Sequence, residues 1–276
     1  MSHIRPPAVA GTFYEGNSQA LADNVNVLLD DARLESGSSI AGETRPLPKA
    51  IIVPHAGYIY SGPIAAAAYA RLTKASGTIK RVVLLGPVHR VPVRGLALPG
   101  ADAFATPLGN INIDQSAIAA IKNLPQVVVS SEAHAYEHSL EVQLPFLQSV
   151  LDDFQLVPLA VGDATPAEVA EVLDVLWGGP ETLIVISSDL SHFLPYQTAR
   201  AADSETVHNI LHLRGSLSHE QACGGTPVNG LILAARKHHL LPHLLDLRNS
   251  GDTAGDKNRV VGYASFAFTE QTDEQH

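Results

Sequence analysis

Residues Ala50 to Gly62 read AIIVPHAGYIYSG. The apolar run Ala50 to Val53 meets Pro54, which lacks the amide hydrogen a ladder needs, so a buried strand ends there and His55 lies just past its carboxyl end. Gly57 permits a tight turn. Ser61 or Gly62 is placed to cap a helix opened by Pro63, PIAAAAYARL, whose small side chains let it lie close on a sheet. In open α/β sheets, ligands bind outside the carboxyl ends of the strands. His89, after RVVLLGPV, and His192, after TLIVISSDLS, follow apolar runs in the same way. This repeated placement is the main functional signal in the chain.

The 276 residues suffice for a well-buried core, and the hydrophobic fraction of 45% with 17% charged residues suits a compact soluble protein. No apolar run has the length of a membrane helix. A formal net charge of −10 offers no basic footprint for phosphates, which argues against nucleic acid as a partner. The opening MSHIRPPAVAGTFY lacks the apolar core of a signal peptide, and Cys223 is the single cysteine, so a reducing, cytoplasmic setting is expected.

Outward from the opening stretch, periodicity predicts an amphipathic helix over Ser18 to Leu34 with Asn17 or Ser18 as cap, then a loop over Ser36 to Lys49. Arg81 to Leu85 reads as a second buried strand. Gly95 to Leu98 and Ile111 to Ile113 read as short strands flanking ADAFATPLGN, with Asp114 capping a helix to Leu124. Val127 to Val129 is a further strand. Glu137 to Leu151 has leucines at helical spacing, with a kink or split at Pro145. Leu156 to Gly162, a helix from Pro166 to Leu176, and TLIVISSDLSH continue the alternation of a parallel sheet. A helix from Thr198 to Leu213 follows. Thr226 and Pro227 open the helix VNGLILAARKHHL, with Cys223 just before it. SGDTAGDKNR then forms a loop, VVGYASFAF a last strand, and residues 269–276 a frayed tail. The expected fold is α/β, one domain over residues 1–276, with a mainly parallel central sheet flanked by helices.

In such a sheet His55, His89 and the pair Asp189 and His192 meet at one edge. Imidazole ligates iron, copper and zinc, and the carboxylate of Asp189 would complete a site or orient a histidine. Against this stands the plainer reading of loop histidines satisfied by backbone or water. Cys223 precedes a helix whose positive amino end would favour a thiolate, as soft ligand or nucleophile, or it is a buried inert thiol. Glu137, His138 and Glu141 read as a solvated helix start with acids near the positive dipole end. His208 and His212 read as a surface pair, and His238, His239 and His243 as residues near a helix end. Phosphate-loop, dinucleotide-fingerprint, zincin and serine-hydrolase motifs are absent from the sequence.

The segments RPPAVAGTFY, PHAGYIYSGPIAA, LLGPVHR, TPLGNINID, EHSLEVQLPFLQ, SSDLSH, ACG, SGDTAGD and VVGYASFAF together resemble the MEMO family, in order and over nearly the whole chain. The resemblance implies a fold similar to class III extradiol ring-cleaving dioxygenases. It further implies metal ligands at His55, His89 and Cys223, catalytic Asp189 and His192 beside them, and a pocket shared with Tyr58, Glu137 and His138. The dioxygenases use two histidines and a glutamate, so Cys223 in the third position would shift preference from iron toward copper or zinc. Val88 stands where family members often carry a small polar residue, and Glu15 where they carry proline. The implied function is a metal-binding, dioxygenase-like oxidoreductase using iron or copper, with zinc as a further candidate. The rival readings are a protein that binds a peptide or small molecule in the same cleft without turnover, and a metal-dependent hydrolase. Microbial relatives also suggest a functional link to a radical-SAM protein.

Overall fold

The computed structural model describes residues 3–37 and 46–271. Its strands are β1 (Ile4–Arg5), β2 (Ala50–Val53), β3 (Arg81–Pro87), β4 (Leu96–Leu98), β5 (Ala103–Thr106), β6 (Gly109–Asn112), β7 (Val127–Val129), β8 (Gln155–Val161), β9 (Thr182–Ser187), β10 (His192–Leu194), β11 (Leu240–Asn249) and β12 (Val260–Glu270). The α-helices are α1 (Ser18–Gly37), α2 (Tyr58–Tyr69), α3 (Gln115–Ile121), α4 (Ser131–Ala135), α5 (Leu144–Val150), α6 (Pro166–Val175), α7 (Tyr196–Leu211) and α8 (Gly225–Lys237).

One 9-stranded sheet runs β10-β12-β2-β9-β3-β8-β4-β7, with β11 paired to β12. Its centre, β2-β9-β3-β8, is parallel, and antiparallel pairs flank it at β12·β2, β10·β12, β11·β12 and β4·β8. The sheet is therefore mixed, with the parallel part where the sequence placed it. Side chains alternate along the central strands: Ile51, Val53, Val82, Leu84 and Val185 enter the core that also holds Leu21, Leu29 and Phe146, whereas Ile52, Val83, Leu85, Ile184 and Ile186 enter the opposite core with Val169 and Leu231. Burial on both faces explains why these strands are continuously apolar instead of alternating with polar residues. The result is a single α/β domain, two helical layers around a sheet. A small sheet, β1-β5-β6, stands apart.

Several boundaries differ from the sequence reading for identifiable reasons. Helix α2 opens at Tyr58, before Pro63, because the Phe13 carbonyl takes the Tyr58 amide at 2.8 Å and the buried Tyr58 ring supports the added turn. The expected helix from Glu137 is absent until Leu144; a short 3-10 turn, Glu141–Gln143, precedes α5. Strand β11 and the hairpin strand β5 were not anticipated. Pro242 and the charged side chains of β11 mask it in sequence, and all are tolerated on an edge strand. Thr269 and Glu270 belong to β12, opposite Leu241 and Leu240, instead of to a frayed tail. Residues 272–276 and the middle of the loop expected over Ser36 to Lys49 lie outside the described residues. Asp114 caps α3 as read, accepting from the Ala117 amide.

Candidate metal centre

Because β2, β3, β8 and β9 are parallel, their carboxyl ends face one edge, and His55, His89, Asp163 and Asp189 all follow within two residues of a strand end. The ligand-capable atoms of His55, His89 and His138 lie within 4.8 Å of one another, and no other such group occurs among the described residues. His55 is buried, His138 half-buried, and His89 reaches solvent. Their rings pack mutually, with centroids 5.3 Å apart for His55 and His89, 5.4 Å for His55 and His138, and 4.6 Å for His89 and His138.

Two of the rings are hydrogen-bonded through Nδ1. For His55 the hydrogen-bond polarity follows from carbonyls that only accept. Gln143 Nε2 donates to Pro54 O at 2.9 Å and to Ser187 Oγ at 2.8 Å, and the Ser187 hydroxyl donates to Ser139 O at 2.6 Å. With its proton so placed, Ser187 Oγ accepts from His55 Nδ1 at 2.9 Å. The His55 Nδ1–H tautomer is thereby set and Nε2 keeps a bare lone pair. His89 Nδ1 donates to Glu137 Oε1 at 2.9 Å, and His138 Nδ1 lies 3.4 Å from the same oxygen. Glu137 also accepts from the amides of His89, His138 and Ser139. Burial pushes its pKa up, but the bond from His89, the closeness of that ring and the amides outweigh burial and hold it at about 2. Burial, reinforced by the neighbouring imidazoles, lowers His55 to about 3 and His138 to about 4, so both are neutral near pH 7.

Glu137 and Glu141 are 2% and 0% exposed, which corrects their reading as a solvated helix start. Their carboxylates bind amides from distant segments, a use that competes with helix formation. Glu141 accepts from the amides of Ala8 and Val9 and from Tyr14 Oη, and pairs with Arg5 Nη1. Arg5 Nη2 donates to Glu137 O at 2.7 Å and Nε to His134 O at 3.0 Å. The segment RPPAVAGTFY is therefore a latch on the loop that carries Glu137 and His138, a role with no signature in the sequence.

Cys223 stands against His55, its Sγ 3.4 Å from Nε2 and outside the three-histidine group. The loop before α8 reaches the sheet edge through Cys223 N to Asp189 O at 3.2 Å and Gly224 N to Ser188 Oγ at 3.0 Å. A Cβ at Gly224 would come within 2.7 Å of Ser188 Cβ, so glycine allows this approach. Burial, then the nearby Asp189 charge, pushes the thiol up to about 12, which favours the buried inert thiol of the two readings in the metal-free protein. Asp189 is buried, accepts from the His55 amide at 2.7 Å, and has its pKa raised by burial. His192 opens the antiparallel strand β10 instead of ending a parallel one, and its charge bears on both His55 and Asp189. Tyr58 turns into the core, donating to Val142 O at 2.7 Å and packing on Tyr14 and Phe146.

Three imidazoles with converging nitrogen donors, two of them held neutral by burial, suit a borderline transition-metal ion such as iron, copper or zinc, and Ser187 and Glu137 supply the outer hydrogen bonds that such ligands need. Sequence reading found His55 and His89 from their strand ends. It placed His138 only in the pocket, since a histidine on a misread helix carries no signal for ligation.

The chain is similar to known proteins along almost its entire length. A family model described as Memo-like protein matches residues 5–267. A MEMO1 family protein of Metallosphaera sedula is 35% identical over 283 residues, covering 96% of this chain and 99% of that one. The MEMO1 family protein of Aquifex aeolicus is 36% identical, with 96% and 99% covered. The crystal structure of an uncharacterized protein from Escherichia coli K12 aligns with a TM-score of 0.47 and 16% identity, covering 78% of this chain and 98% of that one. On the family match and these relatives, the chain belongs to the Memo-like family.

Proposed function

We propose that this protein is a metal-binding, dioxygenase-like oxidoreductase in which His55, His89 and His138 hold one transition-metal ion, iron or copper by preference. The observation that carries this reading is the three-histidine group itself, with ligand-capable ring nitrogens within 4.8 Å and the Nδ1 atoms of His55 and His89 engaged by Ser187 and Glu137. A bound iron or copper ion would supply one-electron redox chemistry and Lewis acidity. Ser187 and Glu137 hold His55 and His89 in the tautomer that offers Nε2. Cys223, beside His55, is a fourth donor available to a soft ion once its proton is lost. Asp189 takes or returns a proton next to the site, and His192 does so from the half-buried side.

The test is oxygen uptake by protein loaded anaerobically with iron(II) or copper(I) and then supplied with ascorbate. Metal-dependent uptake that disappears in His89→Ala is expected. Tight metal binding without uptake under either metal would refute the oxidoreductase reading and favour hydrolysis or plain binding.

A further inference from the structure

Beside the histidine group lies a cavity of about 630 Å³, between the loops that follow β3 and β8, and His89 and Cys223 form part of its lining. Its wall is largely aliphatic, with Val88, Val91, Val93 and Val161. That wall is tied together by the backbone: Val88 N donates to Val161 O at 3.0 Å and Asp163 N to Val93 O at 2.7 Å. Val88, next to His89 in the chain, adds to the aliphatic surface beside that ring.

Besides His89 and Cys223, three charged or titratable side chains line the cavity: Arg90, Asp163 and His219. His219 is hydrogen-bonded to the protein, and Asp163 acts on it through its charge. His219 Nδ1 donates to Cys223 O at 3.3 Å. The Asp163 charge acts on Arg94, which Glu168 chiefly, and Asp163 in addition, keeps protonated. The Arg90 side chain, by contrast, has no hydrogen bond, ion pair or ring contact among the described residues. Arg5, Arg33, Arg81, Arg94 and Arg248 each face a carboxylate, and Arg200, Arg214 and Arg259 a ring. Arg236 likewise has no partner among the described residues; what sets Arg90 apart is that it lines a cavity beside His89. In a chain with 28 acidic and 18 basic residues, an unpaired guanidinium next to a candidate metal ligand marks a place for an external anion. Guanidinium matches carboxylate and phosphate with two parallel N–H donors, and a neighbouring apolar wall strengthens the pair by excluding water.

We propose that this cavity binds a small organic anion, its apolar body on the valine wall, its carboxylate or phosphate on Arg90, and its other end at the histidine group. The proposal deepens the metal-site reading and rests on it only for the end of the ligand that meets the metal. It also assigns Arg90 as the residue that selects the charge of the ligand.

The test uses the full-length protein without metal, titrated calorimetrically with hexanoate, hexyl phosphate and the neutral analogue hexanamide. At least one anion is expected to bind about tenfold more tightly than the amide, since a charged pair is roughly twice as strong as a neutral hydrogen bond. Arg90→Gln should abolish that preference while leaving hexanamide binding and zinc uptake unchanged, and Arg90→Lys should restore part of it. A preference for hexanoate identifies a carboxylate ligand, and one for hexyl phosphate a phosphate ligand. Equal binding of all three compounds to the wild type, no binding of either anion, or an undiminished preference in Arg90→Gln would overturn the proposal. Failure of the metal-site reading would appear separately, as absent metal uptake by the wild type, and leaves the comparison in metal-free protein intact.

Discussion

Glu137 grips His89 twice, accepting from its ring Nδ1 at 2.9 Å and from its backbone amide at 2.6 Å. The same carboxylate lies 3.4 Å from His138 Nδ1, so one buried acid orients two of the three candidate ligands. Arg5 holds the Glu137 carbonyl, which joins the amino-terminal latch to the site through a single residue.

Glu137→Gln should weaken metal binding by roughly 10- to 100-fold without unfolding the protein, as outer-shell partners of ligating histidines commonly do. The amide keeps the shape but offers Oε1 a weaker acceptor and brings a second donor toward the rings. A competition titration against a chromophoric chelator measures the change. Equal affinity in variant and wild type would show that Glu137 is not an orienting group.

The latch rests on a buried ion pair in which every Glu141 oxygen is hydrogen-bonded. Removing one partner strands the other charge, so Glu141→Leu or Arg5→Met should each cost about 3–5 kcal/mol. Urea unfolding with wild type as reference gives the difference. A loss under about 1 kcal/mol for both would mean that the segment is merely laid on the surface.

Acid should destabilise the metal-free protein through buried neutral histidines, of which His134 is the one distant from the metal ligands. It donates from Nε2 to Ala97 O at 2.7 Å, and burial lowers its pKa to about 4. A pKa depressed on folding means that the unfolded chain takes up the proton first. Stability is therefore complete above about pH 6.5 and lost as pH falls from there through about 4. Between pH 7 and pH 5 His134 alone should account for about 2 kcal/mol. His134→Gln, which keeps a donor for Ala97, should flatten the pH dependence of the urea midpoint by that amount. An unchanged slope would contradict the assignment.

Cys223 should be unreactive in metal-free protein, since a thiol near pKa 12 holds on the order of a thousandfold less thiolate at pH 7.5 than an ordinary cysteine. Iodoacetamide rates measured from pH 7 to 10 should be slow and still rising at the upper end. Cys223→Ser should weaken copper(I) more than iron(II), because losing a soft donor penalises the soft ion. Rapid alkylation at pH 7.5, or equal loss of both metals, would count against a role as an optional soft ligand.

The fold was legible where burial on both faces makes a strand continuously apolar and a proline ends it, as at Val53 and Pro87. From these ends the sequence placed His55 and His89 correctly. It failed where a local pattern is overruled from afar. The leucines from Leu140 to Leu151 repeat at helical spacing, but Glu141 spends its carboxylate on the amides of Ala8 and Val9, and Glu137 on those of His89, His138 and Ser139, so the helix waits until Leu144. His138 was thus left without a ligand's position. Cys223 stood open in the sequence between a thiolate at a helix end and a buried thiol, and depth of burial favours the second.

Metal stoichiometry in single-ligand variants bears most directly on the site. Untagged protein purified anaerobically, reconstituted with iron(II), copper(I) or zinc and desalted, should carry one ion per chain by elemental analysis. His55→Ala, His89→Ala and His138→Ala should each fall below about a tenth of that occupancy with circular dichroism unchanged, while Cys223→Ala keeps most of its zinc. Full occupancy in His138→Ala, with occupancy lost in Cys223→Ala, would contradict the three-histidine centre and return the third ligand to the cysteine.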